Sequence, residues 1–582
     1  MRKLLTPLKS RIPLLTLIIA FLLIQAYCDL TLPQYTANIV DIGIQNTDFD
    51  YIINIGSMML VMVAISALAT VGVSFFSSKL SSGYAKDLRK IVYRQVLKFS
   101  NHELNNISRS SLITRSTNDI NQLQNVIGMI LTTLLFAPIL GIGSIIKAFE
   151  LGTDLSWIIF VCFIAIMALL IIVIVRILPY FKITQEIIDR INRTSREILM
   201  GIPVIKAFVR QDFEENKFQK VNQDFLDVNL YVYRNMLIMI PLMTLILNLM
   251  TVMILYFGAY DALSGSILTG DIIAFIQYST QVVSSFLMIG GFMIMLPRIL
   301  VSGRRVSEVL NTELTITDGE ITQINDNSTI EFKNVSYKYP GSEKETLKDI
   351  NFSLKPGKTT AIIGGTGSGK STILNLIPRL QDPTSGEILI DGSNIKNFNL
   401  KTLRDKISFT PQKAILFQGT VKSNMQTGKS NASDEEIEKA LKLAQVDFVD
   451  DLSEEVSQGG SNFSGGQKQR LSIARAIIGQ HDFYLFDDCF SALDMNTERK
   501  VKENLKNLKD SSILIVSQRI STIMDADEII VMDNGEIIDK GSHKSLVENC
   551  DIYRDIATTQ IDNMEVNLWV HHHLEENLLK RQ

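Results

Sequence analysis

Along the first half of the chain, apolar residues do not alternate with polar ones. They accumulate in six long runs, near residues 12–32, 51–77, 125–146, 155–178, 236–256 and 272–296. Each approaches or exceeds the roughly 20 residues that an α-helix needs to cross a bilayer, so the pattern predicts six membrane-spanning helices. The connections between the second and third runs, and between the fourth and fifth, are long, periodic and poor in turn residues. They read as helices that continue well beyond the bilayer. Each holds one short break: Asn105-Asn106-Ile107-Ser108-Arg109 in the first, Met200-Gly201-Ile202-Pro203 in the second. Pro203 lacks a backbone donor and Gly201 favours a turn, so the second connection is expected to fold back there. After a polar stretch at 311–328 the period changes, and short β-branched runs alternate with helical ones up to about residue 560. The reading is an α-helical six-span transmembrane domain (1–310), a linker (311–328), an α/β domain (329–560) and a tail (561–582).

Charge orients the spans. Lys79, Lys86, Arg89, Lys90, Arg94 and Lys98 lie in the first long connection, and Arg190, Arg193, Arg196, Lys206, Arg210 and Lys217 in the second. The other connections hold almost none, Lys147 excepted. Lys and Arg mark cytoplasmic loops. The N-terminus, both long connections and the α/β domain are therefore expected in the cytoplasm of a multi-pass protein of the inner or plasma membrane. The basic start (Arg2, Lys3, Lys9, Arg11) leads into an apolar run with no convincing small-residue cleavage site, which favours a retained helix over a cleaved signal peptide. A net charge of −4 offers no basic field for nucleic acid. Cys28, Cys162, Cys489 and Cys550 are too scattered for a disulfide or zinc spacing. The spans are poor in charge, which argues against a proton relay. They are rich in methionine (Met236, Met239, Met243, Met250 and Met253; Met288, Met293 and Met295), which suits adaptable contact with apolar ligands as well as plain packing.

Chemistry concentrates in the α/β part. The run Ala361-Ile362-Ile363 enters Gly364-Gly365-Thr366-Gly367-Ser368-Gly369-Lys370-Ser371-Thr372, a G-x-x-x-x-G-K-[ST] loop between a strand-like and a helix-like segment. The glycines let backbone N–H groups curl around phosphate oxygens, and the helix N-terminus adds free donors. Lys370 can reach the outer phosphates and the Ser371 hydroxyl can ligate Mg²⁺. Tyr339, upstream, offers a ring for an adenine face. Downstream come Gln412 in Phe-Thr-Pro-Gln, then Phe463-Ser464-Gly465-Gly466-Gln467 opening a helix. A strand, Phe483-Tyr484-Leu485-Phe486, then ends in Asp487-Asp488. Ser491-Ala492-Leu493-Asp494 follows, and a last β-branched run leads to Ser517-Gln518-Arg519.

Glycine loop, Gln loop, SGGQ signature, carboxylate-ended strand and SALD, in this order, resemble the ATPase domain of an ABC transporter. The six runs with two long cytoplasmic connections resemble the exporter class, in which a membrane domain is fused ahead of the P-loop ABC-type nucleotide-binding domain. The resemblance covers nearly the whole chain, to about residue 560. No peptidase-like stretch precedes the first run, so a peptide-processing exporter is not expected. The resemblance implies ATP and Mg²⁺ as ligands. Lys370, Ser371 and the loop amides would hold phosphates, Ser371 and Asp487 the metal, Gln412 would sense metal and γ-phosphate, and Tyr339 would stack on adenine. It also implies that Ser464, Gly465, Gly466 and Gln467 serve the nucleotide of a second ATPase domain packed head to tail, so that one chain is half of a machine.

Two positions depart from that family. Asp488 stands where the family usually has Glu as base for the attacking water, and Gln518 where it usually has His. Asp and Glu differ little in basicity, so the difference is reach. Gln can hydrogen-bond a phosphate but carries no proton. Both changes fall on hydrolysis, while the binding residues and the signature are intact. The expectation is a heterodimer in which this chain has a slow, ATP-retaining site and lends its signature to a competent homologue. The alternatives are a slow homodimeric exporter and an ATP-gated regulatory or channel-like protein; spans without a polar lining speak against the latter. The cargo class read from the spans is a small amphiphilic or apolar molecule of drug or lipid type. Asp41, just past the first span, reads either as part of a solvated acidic rim or as part of a seal on the outer side. The tail, with His571-His572-His573, lies outside the family pattern.

Overall fold

The computed structural model describes residues 2–151, 155–263, 265, 267–508 and 510–560. The tail and its three histidines lie outside them. The chain divides into two compact units. One is the chain up to Leu97 with Arg109–Thr312; the other is Lys98–Ser108 with the chain from Glu313.

The first unit is helical: α1 (Arg2–Lys9), α2 (Ile12–Asn38), α3 (Phe49–Val96), then, after the short α4 (Asn101–Asn106) of the other unit, α5 (Arg109–Ser116), α6 (Asn118–Met129), α7 (Phe136–Leu151), α8 (Ser156–Ala207), α9 (Gln211–Leu263) and α10 (Thr269–Asn311). Five of the described helical stretches are long and apolar enough to cross a membrane. The fourth expected span begins as the shorter apolar stretch Ser156–Leu169 of α8. Pro33, Pro179, Pro203 and Pro241 all sit inside helices; neighbouring helices and side chains absorb such interruptions in a membrane. Met243 and Met250 are core residues here, packed with Ile254, Phe275 and Tyr278. The side chains of Met236 and Met293 lie outside the described set.

The expected fold-back at Gly201–Pro203 is not where the chain turns. Helix α8 runs through both residues, and the reversal comes at Phe208-Val209-Arg210. Arg210 N donates to Ile205 O (2.9 Å) and Val209 N to Lys206 O (3.3 Å), closing the helix with Val209 left-handed at φ 51°. Proline costs one helical hydrogen bond, whereas a Schellman closure satisfies several terminal carbonyls. The break at Ile107–Ser108 is present, and a second one at residues 97–100 isolates α4.

Helix α4 belongs to the second unit. Ser100 caps it, Asn101 N donates to Leu380 O (3.2 Å), and the buried Glu103 carboxylate accepts from Ser100 N (2.6 Å) and Thr315 N (2.8 Å). Within the helical unit, Asp41 Oδ1 accepts from Gly270 N (2.6 Å), joining the extension of α2 to the start of α10.

The rest of the second unit is α/β. In chain order it holds β1 (Ile330–Tyr337), β2 (Leu347–Leu354), β3 (Thr359–Gly364), α11 (Lys370–Leu376), β4 (Ser385–Ile390), β5 (Ser393–Asn394), α12 (Leu400–Asp405), β6 (Ile407–Thr410), β7 (Gly419–Thr420), α13 (Val421–Met425), α14 (Asp434–Leu443), β8 (Glu455–Val456) and α15 (Gly465–Ile477). Then follow β9 (Phe483–Asp487), α16 (Met495–Leu505), β10 (Ser512–Val516), α17 (Ile520–Ile523), β11 (Glu528–Asp533), β12 (Glu536–Gly541), α18 (His543–Asn549) and α19 (Asp551–Gln560). The central sheet has the order β12-β11-β3-β10-β9-β6, parallel except at β12. Strands β9 and β10 are buried at every position, as expected of parallel strands covered on both faces. The neighbouring β3 and β10 and their partner β9 bring the glycine loop, Gln518 and Asp487-Asp488 to one end of the sheet, where ligands of such sheets bind. The four cysteines are free and buried.

Candidate nucleotide site

Strand β3 ends at Gly364, and the loop to Gly369 feeds α11. Gly367 and Gly369 have φ 86° and 96°, the left-handed region that glycine tolerates. A Cβ on Gly364 would sit 2.2 Å from Met532 O, so the loop also needs glycine for close approach to β11. Lys370 is buried and turned onto its own loop: Nζ donates to Gly364 O (2.8 Å), Gly365 O (2.7 Å) and Ser368 Oγ (3.3 Å). Burial pushes its pKa down; Asp487 and Asp488 pull it up against that.

Around this loop lies a cleft of about 320 Å³. Its walls include Tyr339, Thr366, Gly367, Gly369, Lys370, Ser371, Thr372, Gln412, Asp487, Asp488 and Gln518, with Thr346, Val516 and Ser517 added. Ser371 Oγ donates to Asp487 Oδ1 (3.0 Å), and Gln412 Nε2 to Asp488 Oδ2 (3.3 Å). The Tyr339 hydroxyl lies 3.2 Å from Thr372 Oγ1. Burial raises the Asp487 carboxyl above its ordinary value, with Ser371 opposing and Asp488 adding. Asp488 is likewise raised by burial, against Gln412, Arg519 and Lys370. Its backbone is left-handed at φ 45°, a region where Asp is among the tolerated residues. Ser371, Asp487 and Gln412 offer hard oxygen donors on one wall, a set that fits Mg²⁺. Among the described residues no cluster of His, Cys, Asp and Glu suits any other metal.

Ser464, Gly465, Gly466 and Gln467 are not part of this wall. Ser464 caps α15 through a capping box with Gln467, leaving the two glycines in the first turn. One contributor escaped the sequence reading. The Gln560 amide grips the segment after β10 (the switch segment, 517–520) from α19: Nε2 donates to Gln518 O (2.7 Å) and Oε1 accepts from Ile520 N (2.8 Å). No motif marks a residue 42 positions away from its partner. Arg519 completes the hold by donating from Nη2 to Ser491 O (2.8 Å).

Known proteins resemble this chain along most of its length. Residues 15–286 match the family described as ABC transporter transmembrane region, and residues 347–491 the family described as ABC transporter. An uncharacterized ABC transporter ATP-binding protein of Mycobacterium tuberculosis is 36% identical over 563 residues, 94% of this chain and 96% of its own length. The uncharacterized ABC transporter ATP-binding protein YfiB of Bacillus subtilis is 35% identical over 96% of this chain and 98% of its own. A Staphylococcus aureus chain provisionally named as a multidrug export ATP-binding/permease protein is 33% identical over 81% of this chain and 83% of its own. The fold is shared with a bacterial Atm1-family ABC exporter solved with ATP bound, at TM-score 0.81 and 22% identity, over 96% of this chain and 99% of that one. A helical membrane unit joined to an α/β unit built around a glycine loop, with relatives matching along its length, makes this chain a multi-pass member of the ABC transporter family of ATP-hydrolysing transporters, with the fold of an exporter.

Proposed function

We propose that the chain is one subunit of an ATP-driven exporter of amphiphilic or apolar compounds, with a nucleotide site that retains ATP and hydrolyses it poorly. Its signature serves a competent, different partner. One observation carries the reading: a single cleft is lined by Thr366, Gly367, Gly369, Lys370, Ser371 and Thr372 of the glycine loop together with Asp488 and Gln518, the two residues that depart from the family pattern. Lys370 and the loop amides bind phosphate, and Tyr339 flanks the base. Ser371, Asp487 and Gln412 would hold Mg²⁺, which when bound offsets phosphate charge. The Asp488 carboxylate is one methylene short of a Glu, and the Gln518 amide cannot shuttle a proton.

A second half is also supported by the α8–α9 hairpin. Leu199, Met200, Val204, Phe208, Val209 and Phe213 are exposed apolar residues around its tip, more than a solvated tip requires. They suit docking on the ATPase domain of a partner. The Staphylococcus aureus relative's provisional name supports the cargo class. The test is purification of the full chain alone. It should bind Mg-ATP and turn it over slowly, and a homologue with Glu and His at the two positions and a weakened signature should restore turnover. Fast hydrolysis by the isolated chain would refute the reading.

A further inference from the structure

At the end of the central sheet opposite the glycine loop lies a second cleft, of about 430 Å³. It is roomier than the nucleotide cleft of about 320 Å³, and no residue lines both. Thr360 in its wall and Gly364 at the glycine loop mark the two ends of β3, about 13 Å apart at 3.3 Å per residue. Four cations reach the cleft from three elements: Lys333 on β1, Lys355 and Lys358 in the turn before β3, and Lys540 on β12. Three carboxylates stand against them. Glu331 holds Lys333 (3.3 Å), and Asp527 holds Lys358 (3.1 Å) and Thr359 N (2.8 Å). Among the described residues neither Lys355 nor Lys540 has an ion pair, and Lys540 Nζ donates to a neutral acceptor, Asn351 O. Glu528 alone faces these two free cations. Thr360 is only 3% exposed, yet its hydroxyl has no hydrogen-bond partner among the described residues, where buried hydroxyls ordinarily have one. The half-buried Ser353 adds a second open hydroxyl to the wall.

The cations are all lysine. A guanidinium fork matches a flat carboxylate, whereas an ammonium is a point charge that takes a phosphate oxygen from any direction. Ammonium groups from three elements around two open hydroxyls suit an anion with many oxygens and more than one charge. Such an anion can also draw Lys333 and Lys358 from their carboxylates, because exposed pairs of that kind are weak. We propose that this cleft is a second phosphate-anion site, taking a small oligophosphate of the pyrophosphate or tripolyphosphate kind, with Lys355, Lys540 and the Thr360 hydroxyl as its free donors. The site stands apart from the nucleotide cleft, so both can be filled together.

The test is calorimetric titration of tripolyphosphate into the full-length chain in phosphatidylcholine nanodiscs, with the nucleotide cleft saturated by Mg-AMPPNP. One further tripolyphosphate should bind per chain. Lys355→Ala combined with Lys540→Ala should weaken it about tenfold or more, and Thr360→Val, which exchanges the hydroxyl for a methyl, about threefold. Lys355→Glu alone, at an exposed turn position, should weaken it at least as much as the double alanine variant. AMPPNP affinity should match the parent in every variant, which separates loss of the second site from loss of the fold. No binding once the nucleotide cleft is filled, unchanged binding in the lysine variants, or binding of citrate or an acidic peptide as tight as that of tripolyphosphate would overturn the proposal.

Discussion

If reach and proton handling are all that limit this site, Asp488→Glu combined with Gln518→His should create a fast ATPase from the chain alone. The binding wall is already assembled, with Lys370 on the loop, Ser371 on Asp487 and Gln412 on Asp488. Two copies of the variant would also supply each other with an intact SGGQ helix start. One added methylene advances the carboxylate by about 1.5 Å, and a misplacement of ~1 Å can cost ~10²-fold. The double variant should therefore release phosphate roughly 10²-fold faster, within the ~10²–10⁴-fold range of a general base. The assay is phosphate release by the full chain in nanodiscs at saturating Mg-ATP, beside equilibrium ATP binding, which should not change. Asp488→Asn in the parent background should cost little, because the proposed function makes the parent site slow already. The raised Asp488 pKa adds a pH signature. Any turnover that uses it as base should fade, as pH drops, at a higher pH than an ordinary carboxylate would allow. Turnover of the double variant within threefold of the parent, or a ~10²-fold loss in Asp488→Asn, would refute the argument.

Four further outcomes are expected. Glu103→Ala should cost about 2 kcal/mol of local stability by leaving the Ser100 and Thr315 N–H groups unpaired, read as faster hydrogen exchange over residues 100–107 and at Thr315. Burial pushes the Glu103 pKa up, but hydrogen bonds from Ser100 and Thr315 outweigh it and hold it below the usual value. Its contribution is therefore complete above the unfolded carboxylate pKa and fades as pH falls through the lowered folded one, a loss that Glu103→Gln should no longer show. Gln560→Leu should free the switch segment and raise the ATP dissociation rate several-fold without changing the melting temperature; an unchanged rate would make Gln560 a mere packing residue. Val209→Gly should relieve left-handed strain in a β-branched residue, stabilising the α8–α9 hairpin by about 1 kcal/mol, seen as roughly fivefold slower exchange at Phe208–Arg210. Asp41→Ala should unpair Gly270 N and raise the outward-open fraction at low ATP, followed by spin-label distances across the outer helix ends; an unchanged distribution would leave Asp41 as rim.

Membrane helices were legible because a bilayer imposes one requirement, apolar length, and the runs at 51–77 and 272–296 meet it without regard to their neighbours. The hairpin tip was misplaced for the opposite reason. A proline marks where a helix loses one bond, but the chain turns where the freed carbonyls of a terminus can be satisfied together. Val209 adopts the left-handed conformation there although its side chain disfavours it. A β-branched residue in that role carries no turn signal. Helix α4 was hidden as well: its attachment to the second unit depends on Glu103 meeting Thr315, 212 positions on, and only Ser100-x-x-Glu103 is visible locally, as a capping box.

The same division runs through the site. The stretches from Gly364 to Thr372 and Ser464 to Gln467 are readable from spacing, because their local geometry, left-handed glycines in the first and a capping box in the second, is set by near neighbours. Asp487, Asp488 and Gln518 are readable one step less directly, since adjacent strand ends of a parallel sheet must meet. Gln560 and the lysine-rimmed cleft at Thr360 are set by tertiary geometry alone. That ordering bears on the proposed asymmetry between two halves. In the proposed reading the signature of this chain serves a partner's nucleotide; its helix start is set by the α15 capping box and held from beyond β9 by Ala492 N, which donates to Gln469 Oε1 (3.0 Å). Asp488 and Gln518 lie just past the ends of β9 and β10 and, in the same reading, act on the chain's own nucleotide. On the proposed reading, hydrolysis in the chain's own cleft and assistance to a partner's cleft lie on different residues, and substitutions at two strand ends would separate them.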